Sequence, residues 1–189
     1  MSLPDTLMAQ SNYNLASDKN PSIQVSGKSN MHDWKLTSAK MESHGEFKFD
    51  SQNNLTTLTS FSFNVAARTL KSGKGIMDTR TYKVMKADAF PKIFYKLTNA
   101  IITKNQKNTY TVKSTGELTI AGESRPVTID LDVVVNADNT ITCSGTEKIK
   151  LTDFKLTPPT FMLGAMKVYN DLSIQFNLQY KKSNSLTVK

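Results

Sequence analysis

His32 and His44 are the only histidines in the chain, and Asp33 adjoins the first of them. A protein zinc site gathers three or four His, Cys or carboxylate ligands at close spacing. These residues lack that spacing and no third strong ligand accompanies them, so structural or surface roles are expected and no metal. Cys143 sits in the alternating stretch Ile141-Thr142-Cys143-Ser144-Gly145 with no histidine nearby in sequence. It reads as a buried, inert thiol rather than a nucleophile, and as a single cysteine it excludes an internal disulfide. Lys71-Ser72-Gly73-Lys74-Gly75 hints at a phosphate loop but lacks the spacing and the hydroxyl residue that should follow the lysine. Neither G-x-S-x-G nor H-E-x-x-H occurs. Asn54-Leu55-Thr56 is a formal glycosylation sequon, read as chance. With no acid, base and nucleophile set, no catalytic residue, no cofactor and no enzyme activity are expected.

The chemistry that remains is binding. The net charge is +8, and it is uneven. Residues 51–100 hold eight basic residues (Arg68, Lys71, Lys74, Arg80, Lys83, Lys86, Lys92, Lys96) against Asp78 and Asp88. Such a bias attracts anions: a charged ligand head, a lipid surface or a nucleic acid. Tyr82, Tyr95 and Tyr110 offer rings for base stacking, but the basic residues interleave too little with them. No nucleic-acid partner is therefore expected.

The elements that must position these groups alternate with period two. Val127, Ile129, Leu131, Val133 and Val135 share one face of residues 127–135, with Thr128, Asp130 and Asp132 on the other. Leu172, Ile174, Phe176, Leu178 and Tyr180 do the same against Ser173, Gln175, Asn177 and Gln179. Successive side chains of a strand point to opposite faces, so these are strands with one wet side. Gly45-Phe47-Phe49, Phe61-Phe63-Val65, Ile93-Tyr95-Leu97, Tyr110-Val112 and Leu118-Ile120 are shorter versions. Turn residues separate them at 50–54, 121–126 and 136–139. Many short amphipathic strands predict an all-β antiparallel barrel or sandwich. Residues 77–88 break the alternation and predict a short basic helix. Asp78 caps its N-terminus in this reading, Met77, Thr81, Val84 and Met85 share a face, and Pro91 holds Phe90 extended beyond its end.

A chain of 189 residues fits one domain and at that size buries about 70% of its unfolded surface without staples. No run of apolar residues approaches a membrane-spanning length, so stable membrane insertion is not expected. The N-terminus shows neither the basic start nor the apolar run of a signal peptide, so either a cytoplasmic chain or one whose signal has been cut away is expected. Residues 1–11 are expected to be a disordered or added lead, 12–181 the domain, and 182–189 a tail.

Gly45-x-Phe47-x-Phe49, a basic helical insert with Asp78 near its start, then Ala89-Phe90-Pro91-x-Ile93-x-Tyr95 occur in that order. Gly116-Glu117-Leu118-Thr119-Ile120-Ala121-Gly122 with Arg125-Pro126-Val127, and Asp153-Phe154 before a last alternating strand, follow. This ordered set resembles the YceI-like family over roughly residues 12–181. The chain departs from the commonest pattern at Asn20-Pro21, where the family often has His-Ser, and carries His32-Asp33-Trp34 in the manner of a branch.

The resemblance implies a lipocalin-like antiparallel β-barrel with a short helical insert that binds polyisoprenoid or similar long amphiphilic lipids, including the isoprenoid quinone type. It also implies a periplasmic or secreted location in bacteria and makes a homodimer plausible. Under it, Trp34, Phe47, Phe61, Phe63, Phe90 and Phe94 become candidates to line the lipid cavity, although plain core packing accounts for any one of them. Met77, Met85, Met162 and Met166 join them because a flexible thioether adapts to shape, with Tyr82 on the insert. Lys74, Arg80 and Lys83 are candidates for an anionic head group. The alternative is a secreted interaction or stress-response module with a filled interior and no ligand.

Overall fold

The computed structural model describes residues 9–183. Alternating apolar residues give eleven strands: β1 (Ala9–Leu15), β2 (Ser22–Ser29), β3 (Asp33–Ser38), β4 (Met41–Phe49), β5 (Leu55–Ala66), β6 (Lys92–Gln106), β7 (Thr109–Ile120), β8 (Glu123–Val135), β9 (Ile141–Lys150), β10 (Thr160–Phe161) and β11 (Met166–Lys182). Among the described residues one α-helix, α1 (Gly75–Val84), lies between β5 and β6. β1 begins at Ala9, within the expected lead, and β11 ends at Lys182, at the start of the expected tail. The rest of the expected lead and tail, residues 1–8 and 184–189, lies outside the described residues.

Every pairing is antiparallel, and the ring closes. β4 through β9 follow one another in order around the wall, β9 pairs β11, and β11 pairs β1, which pairs β4. β2 also pairs β11, through Ser22–Asn177 to Ser29–Val168, and β3 pairs β2. β1 and β2 thus run in one direction along β11 as two halves of a single stave. A 3-10 turn at Ser17–Lys19, left-handed Asn20 (φ 50°) and Pro21 break it between them. β3 and β4 form the next stave in the same way. The result is a closed eight-stave antiparallel barrel, which leaves few unpaired edges.

Turn chemistry fixes the register. Ala121 (φ 51°) and Gly122 (φ 82°) are both left-handed between β7 and β8, as a two-residue type I′ hairpin requires. Pairing from Thr109–Val134 to Ile120–Glu123 is then unbroken. The alternating faces fall as expected: Leu131, Val133 and Val135 are buried, while Thr128, Asp130 and Asp132 are exposed.

The helical insert differs from its prediction at both ends. It begins at Gly75 and stops at Val84, followed by a turn with Lys86 left-handed (φ 51°). Asp78 is not its cap: it sits inside the first turns, buried, and accepts hydrogen bonds from the Ser72 backbone N–H (2.7 Å) and hydroxyl (2.7 Å). Those bonds, chiefly the hydroxyl one, hold its carboxyl below the usual range and tie the approach loop to the helix. The loop is also pinned to the wall by a bridge between Thr37 and Lys71.

The interior is unevenly filled. At one end Tyr13, Phe47, Phe49, Tyr110 and Tyr180 pack with Val133, Val135 and Ile141 into a solid core. Tyr13 meets Phe47 edge-on at 5.3 Å, and Phe61 meets Tyr180 at 5.7 Å. The other end carries smaller clusters around Ile120, Ile149, Phe154 and Leu172, and around Ile23, Leu36 and Leu70. Between those clusters the barrel is hollow.

Candidate ligand-binding cavity

The hollow half is a cavity of about 540 Å³, within the range of small-molecule sites. Its wall is formed by the inward positions of nearly every stave: Ile23 and Val25 of β2, Trp34 and Leu36 of β3, Phe61 and Phe63 of β5, and Ile93 and Tyr95 of β6. Leu118 and Ile120 of β7, Ile129 of β8, Ile149 of β9, and Ile174 and Phe176 of β11 complete it. These are the residues that strict alternation aims at the axis. β-branched and short aliphatic side chains dominate, and they stop short of the axis.

Glycines seat some of the rings. A Cβ at Gly27 would lie 2.3 Å from the Trp34 ring, and one at Gly116 would lie 2.7 Å from the Tyr95 hydroxyl. Bare backbone lets both rings approach the neighbouring stave more closely than any side chain would allow. The Trp34 indole N–H is buried and has no hydrogen-bond partner among the described residues.

The mouth is framed by three segments. α1 turns Met77, Thr81, Val84 and Met85 inward, the shared face its sequence predicted. The segment 159–168 contributes Pro159, Phe161, Met166 and Val168, and the β2–β3 turn contributes His32. Arg80 of α1 lies over the Phe161 ring at 4.5 Å, a cation–π contact that joins two sides of the mouth. Asn30 joins the third, donating to the Ala165 carbonyl (2.9 Å) and accepting from the Lys167 N–H (2.8 Å). Lys74 and Arg80 stand at the rim, both largely exposed.

The structure brings together Trp34, Phe61, Phe63, Met77, Met85 and Met166 at the cavity, with Lys74 and Arg80 at its rim. It places the other candidates elsewhere. Phe47 has inward parity but lies in the solid end, 2% exposed. Phe94 points outward (46% exposed), because Ile93 and Tyr95 on either side take the inner face. Phe90 is 41% exposed and covers Gly122 from outside, where a Cβ would lie 2.5 Å from its ring. Tyr82 is buried behind the helix and donates to the Leu70 and Arg68 carbonyls, 2.9 and 3.0 Å away. Met162 is 63% exposed on a left-handed turn (φ 56°). Lys83 is exposed on α1, away from the cavity.

Sequence reasoning favoured rings and methionines and so missed the aliphatic wall, although the alternation that marks it was plain. It also missed Tyr95, Ser114 and Glu147, polar members of the lining away from the mouth. Ser114 and Glu147 each sit at an inward position of an alternating run, which was the available signal. Cys143 is buried at the base of the cavity, and burial pushes its thiol up to about 12. His44 lies outside the barrel, its Nδ1 2.8 Å from Asn14 Oδ1, and so does not join His32. Among the described residues no group of three or more His, Cys, Asp or Glu is placed to hold a metal ion. No helix among them is long and apolar enough to cross a membrane.

A closed antiparallel barrel, solid at one end and hollow and apolar at the other, has the build of a lipocalin-like binding barrel. The model of the YceI-like domain matches residues 13–180, and the chain belongs to that family. Among solved structures it is similar to BcnA of Burkholderia cenocepacia, with 21% identity and a TM-score of 0.67, over 87% of this chain and 98% of that one. It is also similar to a polyisoprenoid binding domain from Saccharophagus degradans implicated in plant cell wall breakdown (11% identity, TM-score 0.63, 90% and 98% covered). The YceI protein of Campylobacter jejuni follows at 20% identity and a TM-score of 0.53, with 76% and 84% covered. These likenesses establish the fold. No curated protein matches the chain.

Proposed function

We propose that this protein binds and carries one long-chain amphiphilic lipid, of the polyisoprenoid or isoprenoid quinone type, with its tail in the hollow half of the barrel. The observation that carries this reading is the cavity itself: about 540 Å³, walled by aliphatic and aromatic side chains, with cationic Lys74 and Arg80 at its mouth. A branched hydrocarbon tail needs no hydrogen bonds, only a dry channel, and gains about 0.8 kcal/mol for each buried CH₂. Methionines at 77, 85 and 166 fit irregular methyl branches because their stems repack cheaply. The rim cations suit an anionic or strongly polar head left at the surface. The binding domain from Saccharophagus degradans lends the isoprenoid class its support, and the family resemblance supports a periplasmic or secreted setting.

The depth limits the tail. Inward positions run from Ser114 to Ile120 along β7. Six residues at about 3.3 Å each, tilted by roughly 40°, give a channel about 15 Å deep below the rim. A longer chain must therefore fold within the cavity or leave its remainder at the mouth. A ligand-free module of the same fold would have a filled interior, which the cavity argues against.

The test is to record the native mass spectrum of the purified protein, extract it with organic solvent, and then titrate the protein with isoprenoid lipids. A stoichiometric long-chain species with a matching mass shift, or saturable binding of added lipid, is the expected result. A clean ligand-free mass together with no binding of any added isoprenoid would overturn the reading.

A further inference from the structure

The lining of the cavity is not uniformly apolar at depth. β9 sends Cys143, Glu147 and Ile149 to the inner face, with Gly145 between the first two. Cys143 packs with the solid core and Ile149 with the clusters nearer the mouth, so Glu147 stands at mid-height, where the filled half ends. It is half-buried and pairs directly with Ile174, another lining residue. Among the described residues its carboxyl has no hydrogen bond and no ion pair. The ion-pairing carboxylates described have their cations on the outer surface or beside α1, such as Glu123 with Lys155 (2.7 Å).

Ser114 pairs with Ile129, two residues along β8 from the Leu131–Gly145 pair as Glu147 is along β9, and Tyr95 and Ser114 share a buried hydrogen bond of 2.6 Å. The glycine at 116 makes that contact possible by letting the Tyr95 ring lie across β7. Whichever hydroxyl donates, the other keeps a free O–H, since each group carries one proton. Neither makes another side-chain hydrogen bond among the described residues. Burial raises the Tyr95 phenol, and the Glu147 charge adds to that rise, so the two groups lie within electrostatic reach. The floor of an otherwise apolar cavity thus offers a carboxyl acceptor and a spare hydroxyl donor. An alcohol O–H on a ligand satisfies both, donating to one and accepting from the other. An unpaired carboxyl in an apolar cavity is costly to keep, which points to a ligand that engages it.

We propose that Glu147, with the Tyr95–Ser114 pair, forms a polar subsite at the cavity floor that receives a hydroxyl group on the inner part of an otherwise apolar ligand. This inference rests on the lipid-binding reading and sharpens it. The ligand is polar at two places, the mouth and the floor, and a tail that carries a hydroxyl is bound in preference to a plain hydrocarbon one.

The test compares farnesol with its parent hydrocarbon farnesene in competition against an apolar fluorescent dye, on wild-type protein and on E147L, E147Q and Y95F. Wild type is expected to prefer the alcohol. E147L should lower that preference about tenfold (about 1.4 kcal/mol). E147Q keeps a carbonyl acceptor and should hold the preference within about threefold, while Y95F should reduce it. Thermal melts check folding, and Y95F tests the floor independently of the residue at 147. An alcohol-to-hydrocarbon ratio unchanged in both E147L and Y95F, with both ligands still bound, would overturn the subsite and leave the lipid-binding reading standing. Binding of neither ligand by folded wild type would overturn the subsite, and failure of the longer isoprenoids as well would overturn the lipid-binding reading.

Discussion

The two halves of the barrel obey one alternation rule and reach opposite results. In the solid half, rings from β1, β4, β7 and β11 meet at the axis: Tyr13, Phe47, Tyr110 and Tyr180 are each 3% exposed or less. In the hollow half the same staves and their neighbours present mainly Ile, Val and Leu, which end before the axis, while Trp34 and Tyr95 pack closely over glycines. The comparison teaches that side-chain reach, and whether a ring has a bare backbone to lie on, separates core from cavity. A pocket of this kind is made by what fails to fill it.

The sharpest break of that contrast is truncation in the solid half. Phe47→Ala removes a ring held against Tyr13 and Tyr180 and is expected to cost about 3–5 kcal/mol in chemical denaturation. Enlargement separates the halves in the other direction. Ile149→Phe grows into empty space and should leave the denaturation midpoint nearly unchanged while displacing lipid, whereas Val133→Phe overpacks the solid core and should cost about 1–3 kcal/mol. Equal stability losses from the two would mean that the hollow half is not hollow in solution.

A subtler probe is Gly116→Ala, whose Cβ would lie 2.3 Å from the Lys96 carbonyl oxygen and 2.7 Å from the Tyr95 ring. About 1–3 kcal/mol of destabilisation is expected, together with a displaced Tyr95 signal by NMR. Glu147 gives a pH signature. Burial, with Asp130 adding to it, raises its carboxyl above the unfolded value. The folded state therefore binds this proton more tightly, and its contribution is fully present below the unfolded pKa and lost as pH rises through the folded one. The stability of E147Q relative to wild type should accordingly grow between pH 4 and pH 7, and a flat difference would mean the carboxyl is not shifted. The smallest effect is expected at Trp34. Trp34→Phe keeps most of the ring and deletes an N–H that has no described partner, so the melting temperature should hardly move.

Much of the barrel was legible in the chain. Alternation at 127–135 and 172–180 named the inward faces of β8 and β11 residue by residue, and Ala121-Gly122 marked its hairpin. Parity also contained the correct answer for Phe94, since Ile93 and Tyr95 flank it on the inner face. The candidate site was less legible. Parity says which face a side chain takes but not how far along the axis it sits, so Phe47 and Phe61 look alike in sequence although one is core and the other lines the cavity. Asp78 looked like a helix cap because capping residues resemble any buried carboxylate that ties a loop. Met162 looked like lining until the left-handed turn at 162–164 aimed it outward.

The sequence by itself determined the strands, their inner and outer faces, the turns and the presence of a short insert, because backbone geometry ties each of these to its immediate neighbours. Only the tertiary structure decided which inward residues meet across the barrel, where the filling stops, and that Glu147, Tyr95 and Ser114 share one level of the lumen. Those relations join residues from different staves, and their placement depends on register, stagger and closure of the whole ring, which no local pattern encodes.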